Sequence, residues 1–153
     1  MVKTNAMRIL DAEGVAYAYR EYDPAVTDGV LVAETVGVET DRTFKTLVTQ
    51  GNDLSYYVFV VPVAFSLDLK KAATAVGVKR VEMIRQKELF PLTGYVHGGC
   101  SPFGMKKKFT TVVESSAMLF DTICVSGGRC GLQLELAPGE IVRLTGGKFA
   151  DII

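Results

Sequence analysis

Residues 44–76 of the 153-residue chain read FKTLVTQGNDLSYYVFVVPVAFSLDLKKAATAV and carry its clearest structural signals. Phe44–Thr49 and Leu54–Val63 are rich in apolar and β-branched residues, and Gln50–Asp53 between them contains a Gly-Asn pair. This pattern predicts two strands joined by a tight turn, with a largely apolar second strand. We therefore expect a β-hairpin here.

A helix is predicted directly after the hairpin. Ser66 is the expected N-cap of a helix over Leu67–Val76, and Gly77 is the expected stop. Apolar residues recur at helical spacing and share one face: Leu69, Ala72, Ala73 and Val76.

The rest of the chain mixes short helix and strand patterns. Further helices are predicted over Asn5–Glu13, Val30–Val36 and Gln86–Phe90, with a short helix signal at Ala137–Glu140. Further strands are predicted over Val15–Tyr22, Val78–Met83, Phe109–Val113, Thr122–Ser126 and Leu132–Leu136. Because several strands follow one another without an intervening helix, a mixed sheet is favoured over a doubly wound parallel one.

Length and charge restrict the class of protein. A chain of about 150 residues buries close to 70% of its unfolded surface in one core, so residues 1–153 are expected to form one domain. Basic and acidic residues both number 17, so no overall field attracts a polyanion and any nucleic-acid contact must be local. The sequence shows neither a run of about 18 apolar residues nor the apolar core of a signal peptide, which predicts a cytoplasmic protein without membrane contact.

The metal-binding and redox residues are few. Cys100, Cys124 and Cys130 are odd in number and widely spaced, which predicts free thiols rather than disulfides or a metal clamp. With a single histidine and no clustered carboxylates, no metal and no other cofactor is expected.

Two glycine-rich stretches are candidate binding loops, Gly98–Pro102 and Ser126–Gly131. Glycines let the backbone approach a ligand closely and aim amide groups at an oxyanion, or at the hydroxyls and phosphate of a nucleotide end. Ordinary tight turns have the same composition, and that alternative stays open. Neither stretch has the dinucleotide or P-loop pattern, which disfavours nucleoside triphosphates.

Two basic features are candidate anion-binding groups. Lys45 interrupts an apolar strand, where an ammonium is unfavourable unless it leaves the core or meets an anion; an outward-facing lysine is the alternative. Lys106, Lys107 and Lys108 are either a solvated charge run or a contact for a phosphate backbone.

His97 lies three residues before Cys100 in a flexible loop, so its imidazole could activate the thiol as a nucleophile. No third orienting group is evident, and a lone loop histidine is usually exposed. A cysteine hydrolase is therefore the weaker alternative.

Several fragments, in this order and spacing, resemble the YbaK family, the free-standing bacterial relatives of the editing domain inserted in prolyl-tRNA synthetase. They are Lys3–Met7, Tyr22–Asp23, Phe44–Leu47, Leu69–Ala73, Thr93–Tyr95, Gly98–Pro102 with Gly104 and Lys106–Lys107, and Val125–Gly128. The resemblance implies an α/β fold of the α+β type, with a mixed, barrel-like sheet surrounded by helices. It implies hydrolysis of the ester that joins cysteine to a mischarged tRNA for proline, at the 3′ aminoacyl-adenosine end, with prolyl-tRNA synthetase as the natural partner.

The resemblance also implies roles for particular residues. Lys45 falls on the family's essential lysine, and Gly98–Pro102 falls on its GxxxP loop. The implied catalytic residues are Lys45, Gly98, Gly99 and Ser101. The implied substrate-binding residues are Tyr22, Phe44, Pro102, Ser126, Gly127 and Gly128, and the implied tRNA contacts are Lys106, Lys107 and Lys108.

Two positions depart from the family pattern. Where relatives carry Gly-Lys-Arg-Gly, this chain has Gly128-Arg129-Cys130-Gly131, so any role of that arginine is lost or moved to Arg129. Cys100 occupies the variable position of the GxxxP loop, which favours a loop residue over a nucleophile.

The resulting hypothesis needs no protein nucleophile. The thiol of the attached cysteine attacks its own ester carbonyl, and amides of the Gly98–Ser101 loop bind the carbonyl oxygen as charge develops. Lys45 anchors the terminal adenosine or its phosphate, while Ser126 and Tyr22 position the α-amine or ribose hydroxyls. Alternatives are an alanyl-tRNA deacylase that uses water, and a non-catalytic module that docks on tRNA or a synthetase. The hypothesis requires Lys45 to face two glycine turns that lie close together.

Overall fold

The computed structural model describes residues 1–153 and contains two β-sheets with five α-helices. The strands are β1 (Ala18–Glu21), β2 (Phe44–Gly51), β3 (Tyr56–Pro62), β4 (Val81–Met83), β5 (Thr110–Glu114), β6 (Ile123–Ser126), β7 (Leu132–Leu136) and β8 (Lys148–Ala150). The helices are α1 (Asn5–Ala12), α2 (Gly29–Val36), α3 (Leu69–Val76), α4 (Gln86–Thr93) and α5 (Pro138–Thr145), with short 3-10 helices at Thr40–Arg42 and Ser115–Leu119. None of the helices is long and apolar enough to cross a membrane.

The predicted mixed arrangement of strands is confirmed. A five-stranded sheet has the order β4-β2-β3-β5-β8, in which β3 pairs antiparallel with β2 and parallel with β5. A three-stranded antiparallel sheet has the order β1-β7-β6. The barrel-like sheet is divided into these two parts, which are joined by a single parallel bridge between Thr43 and Cys124.

The two sheets bury separate apolar clusters. The largest cluster packs α1 and α5 against β7, with Leu10, Leu134 and Ile141 fully buried. The second packs α3 against β3, with Phe59 and Ala72 fully buried. Full burial of a leucine or phenylalanine side chain stabilises the folded state by about 1.5–3 kcal/mol. The apolar run in the second hairpin strand is explained by its central position, where both faces are covered.

The hairpin and most other predicted elements are found with shifted ends. β2 and β3 pair from Phe44 with Pro62 to Gln50 with Tyr56. β7 has the predicted bounds. β1 is shorter than predicted, because it is an edge strand that pairs only with four residues of β7. The three-residue strand β8 was not predicted, since its pattern is too short to distinguish.

The predicted N-cap of α3 is wrong by two residues. The helix begins at Leu69, and Asp68 caps it by accepting hydrogen bonds from the N–H groups of Lys70 and Lys71, both at 3.0 Å. A carboxylate that satisfies two free amides displaces the serine as cap. The predicted stop at Gly77 is confirmed, with φ of 76°.

Helix α4 runs past Pro91, where it was predicted to end. The Thr93 hydroxyl donates to the Leu89 carbonyl at 2.7 Å, and the Gly94 N–H donates to the Phe90 carbonyl at 2.8 Å. These bonds hold the last turn although Pro91 contributes no N–H. The sequence pattern also predicts a loop over Thr93–Gly104; the structure has no helix or strand from Gly94 to Gly104, whereas Thr93 is the last residue of α4.

Candidate active site

A cavity of about 320 Å³ lies where the two sheets meet. Between the Thr43–Cys124 bridge and the pairing of Thr49–Gly51 with β4, the edge of β2 has no strand partner. The cavity lies along this open edge and is bounded on the far side by β6 and β7. Its walls are formed by Tyr22, Thr27, Asp28, Gly29, Val32, Thr43, Phe44, Lys45, Thr46, Leu47, Val63, Leu89, His97, Gly98, Cys100, Val125, Ser126 and Gln133.

Lys45 is the only lysine or arginine in the cavity wall. Its side chain is half-buried, and its ammonium has no hydrogen bond and no ion pair. Burial lowers the pKa of Lys45, and the nearby carboxylate of Asp28 partly opposes this shift. An ammonium that lacks a partner in a partly desolvated cavity is suited to binding an anionic group of a ligand.

The two glycine loops pack directly against each other. A Cβ atom on Gly99 would lie 2.9 Å from the backbone C of Arg129 and the backbone N of Cys130, so only glycine permits this approach. The Cys130 thiol donates to the His97 carbonyl at 3.4 Å and links the same two loops. Gly98 has a φ of +85°, which glycine adopts without strain.

Lys45, Gly98 and Ser126 line the same cavity. The two glycine turns are therefore adjacent, and one residue from each lines the same cavity as Lys45.

The amides of the Gly98–Ser101 loop are not equivalent. The Gly99 N–H donates to the Val96 carbonyl at 2.9 Å, whereas the N–H groups of Gly98 and Cys100 have no partner within the protein. The Ser101 hydroxyl is fully buried and accepts a hydrogen bond from the Phe103 N–H at 3.2 Å. Gly98 and Cys100 line the cavity, whereas Gly99 and Ser101 shape the loop behind them.

The second glycine loop contributes Ser126 to the cavity, while its glycines face other parts of the protein. The Ser126 hydroxyl accepts from the Gly128 N–H at 3.3 Å, which leaves its own proton free to donate. Gly127 accepts from the Thr4 hydroxyl at 2.6 Å and packs on Leu132. Gly128 packs near the Tyr95 ring.

Of the other predicted substrate-binding residues, Tyr22 and Phe44 line the cavity and Pro102 does not. Tyr22 is half-buried, and burial raises the pKa of its hydroxyl, which therefore stays protonated and available as a donor. Phe44 is almost fully buried and forms an apolar wall. Pro102 lies in a separate groove of about 280 Å³, together with Lys107 and Lys108.

Lys106, Lys107 and Lys108 are exposed and lie outside the Lys45 cavity. The ammonium of Lys106 lies 5.2 Å from the centre of the Phe90 ring and donates to the Pro91 carbonyl at 3.4 Å. Arg129, at the position that departs from the family pattern, is exposed, makes no side-chain hydrogen bond and does not line the cavity.

The Cys100 side chain lacks the features of a nucleophile. Only 7% of the residue is exposed, and burial raises the pKa of its thiol to about 12. His97 is exposed and makes no side-chain hydrogen bond to the thiol. A reactive cysteine requires a lowered pKa, and the geometry provides the opposite.

Five polar residues of the cavity wall were not predicted: Thr27, Asp28, Thr43, Thr46 and Gln133. Two of them contain buried oxygen atoms without a hydrogen-bond partner, Oγ1 of Thr46 and Oε1 of Gln133. The sequence does contain an indication for Gln133, because this polar residue lies between Leu132 and Leu134 in a predicted strand and so points to the opposite face from them. No group of three or more His, Cys, Asp or Glu side chains in the structure is placed to share a metal ion.

The fold and the cavity together define an α+β protein with a cavity between its two sheets that contains a single, unpaired lysine. Residues 23–144 match the aminoacyl-tRNA editing domain family, so the chain belongs to that family. This confirms the resemblance to YbaK drawn from the sequence.

Relatives and solved structures agree with this assignment. A protein of Enterococcus faecalis named "Putative Cys-tRNA(Pro)/Cys-tRNA(Cys) deacylase EbsC" is 49% identical over 98% of this chain and 93% of its own length. YwhH of Bacillus subtilis, described as uncharacterized, is 29% identical over 71% of this chain and 69% of its own. The crystal structure of a "putative trans-editing enzyme for prolyl tRNA synthetase" matches with a TM-score of 0.84 and 25% identity, covering 99% of this chain and 98% of that one. The crystal structure of the hypothetical protein APE2540 matches with a TM-score of 0.89 and 27% identity, covering 97% of this chain and 99% of that one.

Proposed function

We propose that this protein, as one editing domain over residues 1–153, hydrolyses the aminoacyl ester of mischarged tRNA, with Cys-tRNA(Pro) as its main substrate. The observation that carries the proposal is the unpaired ammonium of Lys45 in the same cavity as Gly98 and Ser126. Membership of the editing family supports the reaction class. The name of the E. faecalis relative supports cysteine as the amino acid.

Lys45 binds the terminal nucleotide in this proposal. The 3′ end of tRNA carries phosphates and ribose hydroxyls next to the ester. A phosphate supplies the counter-ion that the Lys45 ammonium lacks in the free protein, and a low effective dielectric strengthens the pairing. Lys106, Lys107 and Lys108 are proposed to contact the tRNA backbone beyond the cavity.

The carbonyl oxygen of the ester is bound by backbone amides. Gly98 and Cys100 line the cavity, and their N–H groups have no partner within the protein. Preorganised donors of this kind stabilise developing negative charge by about 3–4 kcal/mol for each well-placed N–H. Gly99 and Ser101 hold these donors in position through their bonds within the loop.

The substrate supplies the nucleophile. The thiol sulfur of the attached cysteine attacks the ester carbonyl carbon, the bond from that carbon to the ribose oxygen breaks, and the thiol proton ends on the ribose hydroxyl. The products are free tRNA and the cyclic thioester of cysteine, which water opens to cysteine. Proximity within one residue provides several kcal/mol toward this step. Tyr22 and Ser126 position the ribose hydroxyls or the α-amine.

A substrate panel tests the proposal. Cysteinyl-, alanyl- and seryl-tRNA(Pro) are incubated with the protein, and loss of the ester is followed. We expect rapid deacylation of the cysteinyl ester and survival of the seryl ester, which is similar in size but lacks the thiol. Equal hydrolysis of the alanyl and seryl esters would show that water is the nucleophile. Binding without turnover of any ester would show a docking module.

Prolyl-tRNA synthetase is the proposed partner, because it forms the mischarged product.

A further inference from the structure

Gln133 presents a buried polar group that the proposed chemistry does not use. Only 3% of the residue is exposed, and its side-chain oxygen has no hydrogen-bond partner. Gln133 lines the cavity that contains Lys45. A buried amide oxygen without a partner destabilises a folded protein, whereas an apolar side chain of similar shape does not.

The strand geometry fixes the direction of this side chain. Leu132 and Leu134, on either side of Gln133 in β7, are fully buried in the main apolar cluster. Gln133 therefore points to the opposite face of the strand, where it lies directly across from Ser126 of β6. Gln133 is thus paired with a residue that already lines the cavity, and its buried amide oxygen has no partner within the protein.

A second oxygen without a partner lies in the same cavity wall. The hydroxyl oxygen of Thr46 is buried and makes no hydrogen bond within the protein. Thr46 is next to Lys45 in β2, on the strand edge that has no neighbour. The carboxylate of Asp28 also lines the cavity and is close enough to Lys45 to influence its charge. The cavity wall therefore includes several side-chain oxygens that can accept hydrogen bonds.

The chemistry of these acceptors selects one group of an aminoacyl ester. An α-ammonium has several N–H donors and no acceptor, so it needs oxygen atoms around it. In a cavity that also contains the Lys45 ammonium, such a group is repelled unless acceptors compensate for its charge. We propose that Gln133, supported by Thr46, accepts a hydrogen bond from the α-ammonium of the bound aminoacyl ester and makes the site specific for esters with a free α-amine. This inference rests on the proposed deacylase function.

The test compares two esters that differ only in the amine. Cysteinyl-tRNA is compared with 3-mercaptopropionyl-tRNA, which keeps the thiol and lacks the amine, and which is smaller, so that it meets no steric barrier. We expect the Gln133→Leu variant to lose about 10- to 100-fold in kcat/KM on cysteinyl-tRNA and to keep the wild-type value on the other ester. Because both proteins receive the same two esters, differences in intrinsic ester reactivity cancel in this comparison.

Two further variants separate recognition from structure. Gln133→Glu keeps an acceptor oxygen and is expected to retain the preference for the ester with an amine. Gln50→Leu, at the far end of β2, is the matched control, and its kcat/KM on both esters is expected to equal that of the wild type. Thermal melting of Gln133→Leu should be at or above that of the wild type, because an unpaired buried oxygen is removed.

The inference is overturned if Gln133→Leu keeps the wild-type ratio of the two rates, or if Gln133→Glu loses that ratio. Should Gln133→Leu fail to fold, the Gln133→Glu result decides. A wild-type protein that hydrolyses neither ester would instead refute the proposed function.

Discussion

Replacement of Lys45 by methionine should reduce activity while leaving the fold intact. The substitution removes the ammonium and keeps an unbranched stem of similar length on β2. In the free protein the ammonium has no partner, and burial lowers its pKa below the ordinary value of 10.5. The folded state thus holds this charge less favourably than the unfolded chain does, and its stability rises with pH as Lys45 loses its proton.

The size of the effect on activity follows from the contact that Lys45 is proposed to make. An ammonium and a phosphate about 4 Å apart attract by about 4 kcal/mol at an effective dielectric constant of about 20. Screening by salt and the desolvation of the phosphate reduce this, so that a net loss of about 2–3 kcal/mol is expected. That loss corresponds to about a 30- to 150-fold decrease in kcat/KM.

The assay is single-turnover deacylation of Cys-tRNA(Pro) at several salt concentrations, with thermal melting alongside. Lys45→Met should lose activity and melt at the same or a higher temperature, and its activity should depend less on salt than that of the wild type. Lys70→Met, on the exposed face of α3, is the matched control and should behave as the wild type. Activity of Lys45→Met within about 3-fold of the wild type would refute the proposed role.

Three further predictions concern the loops and the neighbouring charges. Gly99→Ala should lower kcat/KM by at least about 10-fold and the free energy of unfolding by about 1–3 kcal/mol, because the added methyl group meets the Arg129–Cys130 backbone. Deacylation assays measure the first effect and calorimetry measures the second. Gly139→Ala is the control, because its Cβ meets nothing within 4 Å. Cys100→Ala should keep deacylation activity within about 3-fold of the wild type, since the backbone N–H remains and a thiol with a pKa of about 12 is not ionised at neutral pH. Complete inactivation would instead support Cys100 as the nucleophile. Glu135, held by hydrogen bonds from Thr122, Arg20 and Arg42, has its pKa lowered to about 2, so its stabilising effect is present above the ordinary value of 4.5 and is lost as the pH falls toward 2. The difference in unfolding free energy between the wild type and Glu135→Gln should therefore shrink by about 1–2 kcal/mol between pH 5 and pH 2 in denaturant titrations, and a constant difference would contradict this.

The sequence predicted the elements whose patterns are local. The hairpin β2–β3 and strand β7 follow from alternating or continuous apolar residues, and the stop of α3 follows from Gly77. Helix ends were less predictable, because Ser66 and Asp68 are both acceptable caps and only the folded chain shows which reaches the free amides. The division into two sheets depends on contacts between strands that are far apart in the sequence, and local sequence patterns do not predict such contacts.

The site was predictable where composition is unusual. A lysine in an apolar strand and two glycine loops indicated Lys45, Gly98 and Ser126, and all three line one cavity. The engagement of the Gly99 amide by Val96 was not predictable, since loop hydrogen bonds depend on exact backbone angles. Gln133 was missed for another reason, because a single glutamine in a strand is equally compatible with an exposed face.

A cavity with these walls needs chemical selection in addition to selection by size. Its apolar residues include Val32, Leu47 and Val125. Apolar contacts distinguish ligands that differ by one methylene group by only about 1–3 kcal/mol, or about 10- to 200-fold. Such a factor alone does not protect correctly charged prolyl-tRNA, which is present in excess over its mischarged form. If the reacting thiol belongs to the substrate, an ester without a thiol can enter the cavity and leave unchanged, because the protein itself provides no nucleophile. The absence of a reactive side chain is then the source of specificity, and introducing a nucleophile near Gly98 should make the protein less selective rather than more active.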